Sequence, residues 1–439
     1  MHFDVNIRPA EIPANLRCLT EITGAAAWQK RENDFAHQVR DNPLIADYLD
    51  SHFRIERSMF NVKRYKQSTG RIPNIIDAPS ANIAILYNFA SVVTRVFRQL
   101  PKYGQDALRQ KLKGALDDEV GLSPLAFEMR TVAHFIALGF DVEFHDLCVG
   151  GGFDFLVRKA EIQIEVECKS ASGDLGHRVH LRRQCQLGPY ILPPMRATEK
   201  DGVVKLLVVT LPGRLYPARE FMMAVGARIG EALTKFDSLS EGEPCTVSYR
   251  EFPIEGSPFD CKSPPRINQN DIIEYCNTMI GDQIGHTIMT FSPRRSATIV
   301  ALRSAKPNSF MDYVYRSLKE AASKQLSGTR PGIICVQLRD MTSTQLQDIA
   351  AEPSQSGKPS AIQLMTAKFF DSGARDHVHT LAYIAPGNFV RSVSRRPDLH
   401  SPDIIQDTIV SEDAISYWFG NRNHPQFADC RYDVFGKQR

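Results

Sequence analysis

The stretch GGGFDFLVRKAEIQIEVECKSAS, Gly150 to Ser172, constrains the fold more tightly than any other part of the chain. Two runs of alternating apolar and polar residues flank Ala160-Glu161, the pattern of a β-hairpin with a two-residue loop. With Lys159 opposite Ile162, side-chain alternation puts Phe153, Phe155, Val157, Ile162, Ile164, Val166 and Cys168 on one face. The other face carries Asp154, Leu156, Arg158, Gln163, Glu165, Glu167 and Lys169. Both strands agree on which face is apolar, and a slip of one residue would bury the charges. Asp154 then lies across from Glu167, with Gly150 to Gly152 leaving a bulge open before it.

Carboxylates side by side on a sheet repel each other and weaken the pairing. Asp154, Glu167 and the additional acid Glu165 therefore need compensation, and a hard divalent cation, Mg²⁺ or Mn²⁺, supplies it through oxygen ligands. The backbone carbonyl of Cys168 offers a further ligand. Lys169, two residues beyond Glu167 on the same face, is placed to orient or deprotonate a water, or to neutralise charge growing on a phosphoryl group. Upstream, SPLAFEMRTVAHFIALG reads as a helix with Ser123 as N-cap, Pro124 in its first turn and Gly139 as its stop. Glu128 falls in its apolar stripe with Leu125, Val132, Phe135 and Ile136, where a carboxylate is costly unless paired or metal-bound. The competing reading of the hairpin is a solvated polar face with a cross-strand ion pair, worth under about 1 kcal/mol.

The rest of the chain divides by pattern. Residues 1–113 carry helical periodicity and no strand alternation, as in LYNFASVVTRVFRQL. Residues 114–240 mix helix and strand: after the hairpin come HRVHLRRQCQL, a short helix ended by Gly188-Pro189, then VVKLLVVTL, a buried central strand, then an amphipathic helix. Residues 241–284 are polar and Pro-rich and read as a linker with connecting elements. Residues 285–439 form a C-terminal α/β region, with SATIVALRSA, PGIICVQL and HVHTLAYIA as strands and SFMDYVYRSLKEAASKQL as a helix. A faint echo between VECKSAS and VALRSAK makes that region a candidate degenerate repeat of the preceding core, with its carboxylates lost. The fold class expected is α/β, a mixed sheet flanked by helices.

At 439 residues the chain is long enough for two or three domains. Hydrophobic residues at 43% and charged residues at 23% give the balance of a globular protein with a substantial core. A net charge of +3 excludes a uniformly basic surface, so any nucleic-acid contact must be local. The nine scattered cysteines contain no CxxC pair, which excludes a zinc knuckle and fits a reducing cytoplasm. Neither a signal-peptide pattern nor a membrane-length apolar run is present, so a cytoplasmic protein without a membrane partner is expected.

Glu128 on a helix, Asp154 opening a strand, and Glu167-x-Lys169 on the next strand resemble the PD-(D/E)xK, or restriction-endonuclease-like, nuclease superfamily, over residues 114 to 236. The resemblance implies Asp154 and Glu167 as metal ligands, Lys169 as the catalytic lysine and Glu128 as the helix-borne acid. Gly152-Phe153 stands before Asp154 where the name-giving motif has proline, and Glu165 is an acid without an assigned part. A polar residue on the following helix often assists in this superfamily; Arg182, Gln184 and Gln186 are candidates, with Gln184 preferred. Arg178, Arg182 and Arg183 are candidate phosphate contacts, against an ordinary exposed basic helix. The function implied is a Mg²⁺-dependent nuclease acting on DNA, in bacterial phage defence or a mobile element, with the flanking regions selecting substrate, binding a protein partner or assembling a homo-oligomer. The alternative is a catalytically inactive nucleic-acid-binding or scaffold protein of the same fold.

Overall fold

The computed structural model describes residues 1–74, 82–172, 176, 178–235, 239–260, 269–280, 286–292, 295–307, 309–339, 361–371, 375–385 and 416–420. Among these the chain is mixed α/β, with two mixed sheets and helices around them. No helix among the described residues is long and apolar enough to cross a membrane. The chain divides into two compact units, one of Met1–Phe35, Leu49–Gly173 and Met311–Arg439, the other of Ala36–Tyr48 and Asp174–Phe310.

The first unit opens with helices α1 (Ile12–Thr23), α2 (Ala25–Asp41, whose end passes into the second unit), α3 (Ile45–His52), α4 (Arg54–Thr69), α5 (Asn82–Gln99) and α6 (Lys102–Asp117). Their apolar stripes meet in a core that includes Leu19, Ile22, Phe60, Leu86, Val93, Leu108 and Leu112. Helix α7 (Ser123–Ala137) follows. Ser123 is its first residue rather than its cap; the hydroxyl donates to the His52 carbonyl at 3.2 Å, and Leu122 precedes the helix. Its end does follow the glycine rule: Gly139 has φ +82°, Gly139 N–H bonds Ile136 O at 2.9 Å and Phe140 N–H bonds Phe135 O at 3.0 Å.

Strands β1 (Asp141–Phe144), β2 (Phe155–Lys159) and β3 (Ile162–Ala171) form an antiparallel meander. The hairpin register is the one its alternation predicts, Lys159 opposite Ile162 and Phe155 opposite Val166, and Ala160 turns it with φ +50°. Phe135 of α7 meets Phe155 edge-on at 6.1 Å, so α7 lies on the apolar face. The next strand of this sheet comes from far along the chain. Helix α11 (Phe310–Glu320), continued by a π-helical turn at Ala321–Gln325, leads into β9 (Gly332–Leu338), which pairs in parallel with β3. After α12 (Ala361–Phe370), β10 (Val378–Ile384) adds in parallel to β9, and β11 (Ser416–Gly420) closes the order β1-β2-β3-β9-β10-β11.

The second unit thus takes most of its length from the stretch between β3 and α11, and Ala36–Tyr48, from the end of α2 into the start of α3, completes it. It holds α8 (Leu181–Ala197), β4 (Val203–Leu211), α9 (Arg219–Lys235), β5 (Leu239–Ser240), β6 (Thr246–Pro253), α10 (Gln269–Ile280), β7 (His286–Ser292) and β8 (Ser296–Ser304). The sheet order is β5-β6-β4-β8-β7, with β4 and β8 parallel. Leu187, Ile191, Val225 and Ile229 from α8 and α9 cover one face against Leu207, Val209 and Val300. Phe259 and Cys276 cover the other, against Leu206 and Ile299.

This division departs from the expected one. VVKLLVVTL is a buried central strand, but of the second sheet, so residues 114–240 are not one core. Residues 241–284, expected as a linker with connecting elements, supply β6 and α10, while 285–439 is no region of its own, since β7 and β8 join one sheet and β9 to β11 the other. A continuous apolar run announces burial on both faces without naming the neighbouring strand. Helix α8 likewise runs through Gly188-Pro189 instead of stopping there. Proline at 189 removes the N–H that would bond Cys185 O, and the Asn42 side chain donates to that carbonyl at 2.7 Å in its place.

Candidate metal centre

The site is assembled where β1 and β2 run out. Their pairing ends at Phe144–Phe155, which leaves His145-Asp146 beside Phe153-Asp154. His145 N–H donates to Asp154 O at 2.9 Å, and the His145 ring stacks on Phe153 with centroids 4.2 Å apart. The intervening chain returns through Gly150, Gly151 and Gly152, all at positive φ, a backbone path that side-chain-bearing residues rarely adopt. Asp154 is then fixed from across the hairpin: Cys168 N–H donates to its Oδ2 at 2.7 Å. Cys168 thus touches the site through its N–H.

Glu128 arrives from α7, 5% exposed. Glu128, Asp146 and Asp154 each present an oxygen, all within 4.8 Å of one another, and can hold a metal ion. Lys111 of α6 bridges two of them, its Nζ 2.7 Å from Glu128 Oε2 and 2.7 Å from Asp146 Oδ2. Glu167, 2% exposed, pairs through Oε1 with Lys169 Nζ at 2.7 Å. One buried oxygen of each of Glu128, Asp146 and Glu167 has no hydrogen-bond partner.

Burial dominates the electrostatics. It pushes the Glu128 carboxyl up to about 8, with repulsion from Asp154 adding to it and Lys111 opposing. Glu167 is pushed up to about 7, again by burial first and Asp154 second, against Lys169. Asp154 is raised by burial despite Lys111 and the Cys168 N–H. For Lys111 burial works against the charge, but Glu128, Asp146 and Asp154 outweigh it and hold the ammonium above its ordinary range.

The donor set fits a hard cation. The oxygens that Glu128, Asp146 and Asp154 bring together are all carboxylate, buried oxygens of Glu128, Asp146 and Glu167 are orphaned, and a divalent ion offers these crowded acids the charge that burial denies them. Two residues of the site, Asp146 and Lys111, escape sequence reasoning. Asp146 is a lone acid in a loop after a four-residue strand, and Lys111 sits among other lysines of an amphipathic helix; neither carries a periodic signal.

Two further expected residues have partners of their own. Glu165 is fully buried and accepts from Ser327 N–H at 2.7 Å, from the Ser327 hydroxyl and from Arg330 at 3.3 Å, so it ties the turn before β9 to β3. Gln184 belongs to α8 of the second unit; it is buried and donates to the Thr287 carbonyl. Its amide thereby ties α8 to β7 within the second unit. No protein-family model, no curated protein and no solved structure matches this chain.

Proposed function

We propose that the chain is a Mg²⁺- or Mn²⁺-dependent nuclease hydrolysing phosphodiester bonds in DNA, with Glu128, Asp146, Asp154 and Glu167 as the metal-holding acids. The observation that carries this reading is the convergence of three acids on one point beside the Glu167–Lys169 pair. The order α7-β1-β2-β3-α11-β9, with β9 parallel to β3, supports a restriction-endonuclease-like core interrupted by the second unit. In this reading α11 and β9 take the places that the sequence pattern gave to α8 and β4.

Mg²⁺ bound there supplies positive charge to the phosphoryl oxygens and acidifies water at neutral pH. The chain's own groups do the rest. Cys168 N–H holds Asp154 in one orientation, so the carboxylate needs no rearrangement to bind. Glu167 anchors Lys169, whose ammonium stands on the polar face of β3 as a cation for the charge that builds on phosphate during in-line attack. Burial of Glu128 and Glu167 excludes water that would screen these interactions.

One observation favours a second reading, an inactive nucleic-acid-binding or scaffold protein: Lys111 already bridges Glu128 and Asp146 as an internal cation. Incubation of plasmid and linear DNA with Mg²⁺ separates the two. Cleavage by the wild type, abolished in Asp154→Ala, in Lys169→Ala and by EDTA, is expected. Equal cleavage by all three proteins, or none by a wild type that still binds Mn²⁺, overturns the nuclease reading. Parallel digestion of RNA tests the substrate class. A role in phage defence or in a mobile element belongs to the same proposal and is tested by phage plating on cells carrying the wild type or Asp154→Ala.

A further inference from the structure

We infer that the second unit carries a DNA-backbone surface at the carboxyl ends of its parallel strands β4 and β8. Three chain segments meet there. Ala305 N–H bonds Leu211 O at 2.8 Å, Leu215 N–H bonds Arg178 O at 3.0 Å, and Ser309 N–H bonds Gly176 O at 2.8 Å. Arg178 Nε also reaches Pro307 O at 3.4 Å, and Arg303 Nε bonds Thr210 Oγ1 at 2.9 Å. The junction brings together Arg178, Arg182, Arg183, Arg214, Arg303 and Lys306, while 176–183, 211–216 and 303–309 contain no Asp or Glu. The adjoining start of α9 adds Arg219 and Glu220, which cancel.

The three segments hold six cations where 53 Lys and Arg in 439 residues would place about two or three, and they hold no acid. Arg182 and Arg183 also stand in the first turn of α8, where the helix dipole disfavours a cation and favours an anion. Neighbouring strands lie about 4.8 Å apart, so segments side by side spread the charges over roughly 10 Å. That width suits a row of phosphates better than a single one, and the crevice beyond the carboxyl ends of parallel strands is where open α/β sheets take ligands. Arg214 and Lys306 are exposed and reach solvent from separate loops. The choice of DNA among polyanions rests on the proposed function; the surface itself does not.

The test uses the full chain in EDTA, so that binding is read without cleavage, with a fluorescent DNA duplex titrated at several salt concentrations. For Arg214→Ala/Lys306→Ala we expect affinity to fall roughly tenfold and the slope of log K against log[salt] to shrink by about 2, close to 0.9 per lost phosphate contact. Lys200→Ala/Arg295→Ala, the same charge change at the opposite ends of β4 and β8, should leave the slope unchanged. Arg214→Glu/Lys306→Glu should weaken binding further. A wild type that does not bind the duplex, or equal slopes for the first pair and the control pair, overturns the surface; a preference for an RNA duplex overturns the choice of DNA. Binding lost only in the patch variants, together with no Mg²⁺-dependent cleavage by the wild type, would leave the surface standing and remove the nuclease reading.

Discussion

Lys111 Nζ stands 2.7 Å from Glu128 Oε2, an ion pair between α6 and α7 in which the acid's side chain is 6% exposed and the lysine's 35%. The same ammonium reaches Asp146, so one cation holds together two acids that burial would otherwise set against each other. Removing it should expose what the acids do alone. Lys111→Met is expected to destabilise the protein by about 3–5 kcal/mol in EDTA, the usual penalty for orphaning a buried charge. Added Mn²⁺ should recover more thermal stability in this variant than in the wild type, read as the shift in melting temperature on metal addition.

The raised carboxyls fix the sign of a pH dependence. Glu128 at about 8 and Glu167 at about 7 bind protons in the folded state that the unfolded chain releases near 4.5. Their contribution to stability is therefore full below about 4.5 and is lost as pH rises through 7 to 8. Urea unfolding in EDTA should give a lower free energy at pH 8.5 than at pH 5.5, by a few kcal/mol. Glu128→Gln should flatten that slope, and Mg²⁺, which favours the ionised acids, should reduce it.

Glu165 and Glu167 share one face of β3, yet their surroundings predict different failures. Glu165→Ala leaves the Ser327 N–H and Arg330 without their acceptor and should cost about 3 kcal/mol in chemical denaturation while leaving Mn²⁺ affinity of the folded protein unchanged. Glu167→Gln should do the reverse, lowering Mn²⁺ affinity at least about tenfold with little loss of stability at neutral pH. Isothermal titration and urea melts on the two variants tell them apart.

Gln184→Ala should behave as a packing mutation. It leaves the Thr287 carbonyl without the amide donor that now serves it, a loss of about 1–3 kcal/mol. Metal-dependent cleavage per folded molecule should match the wild type; a loss of turnover with unchanged stability would put the residue back into the chemistry.

What the sequence discloses and what it hides follow from the range of the interactions. The hairpin register is legible because Ala160-Glu161 and strict alternation are local and check each other. Glu128 is legible because a carboxylate breaks the apolar stripe of α7. The neighbour of β3 is not legible: β4 and β9 are both continuous apolar runs, and nothing in Val203–Leu211 or Gly332–Leu338 says which of them lies against Glu167. Asp146 is hidden for a related reason, since only the pairing of β1 with β2 brings it to Asp154.

The parallel seam between β3 and β9 also sets the order in which the molecule can be made. Glu165 is tied to Ser327 across 162 residues of chain, and every bond along β3's free side waits for the same distant segment. During synthesis the hairpin emerges early with that side open, and the whole inserted unit must leave the ribosome before its partner strand exists. Such delayed, non-local pairing is slow and invites edge-to-edge association while it lasts. A nascent chain stalled after Ser304 would hold the acids of the hairpin and the complete second sheet, and still lack the strand that locks Glu167 and Lys169 in line.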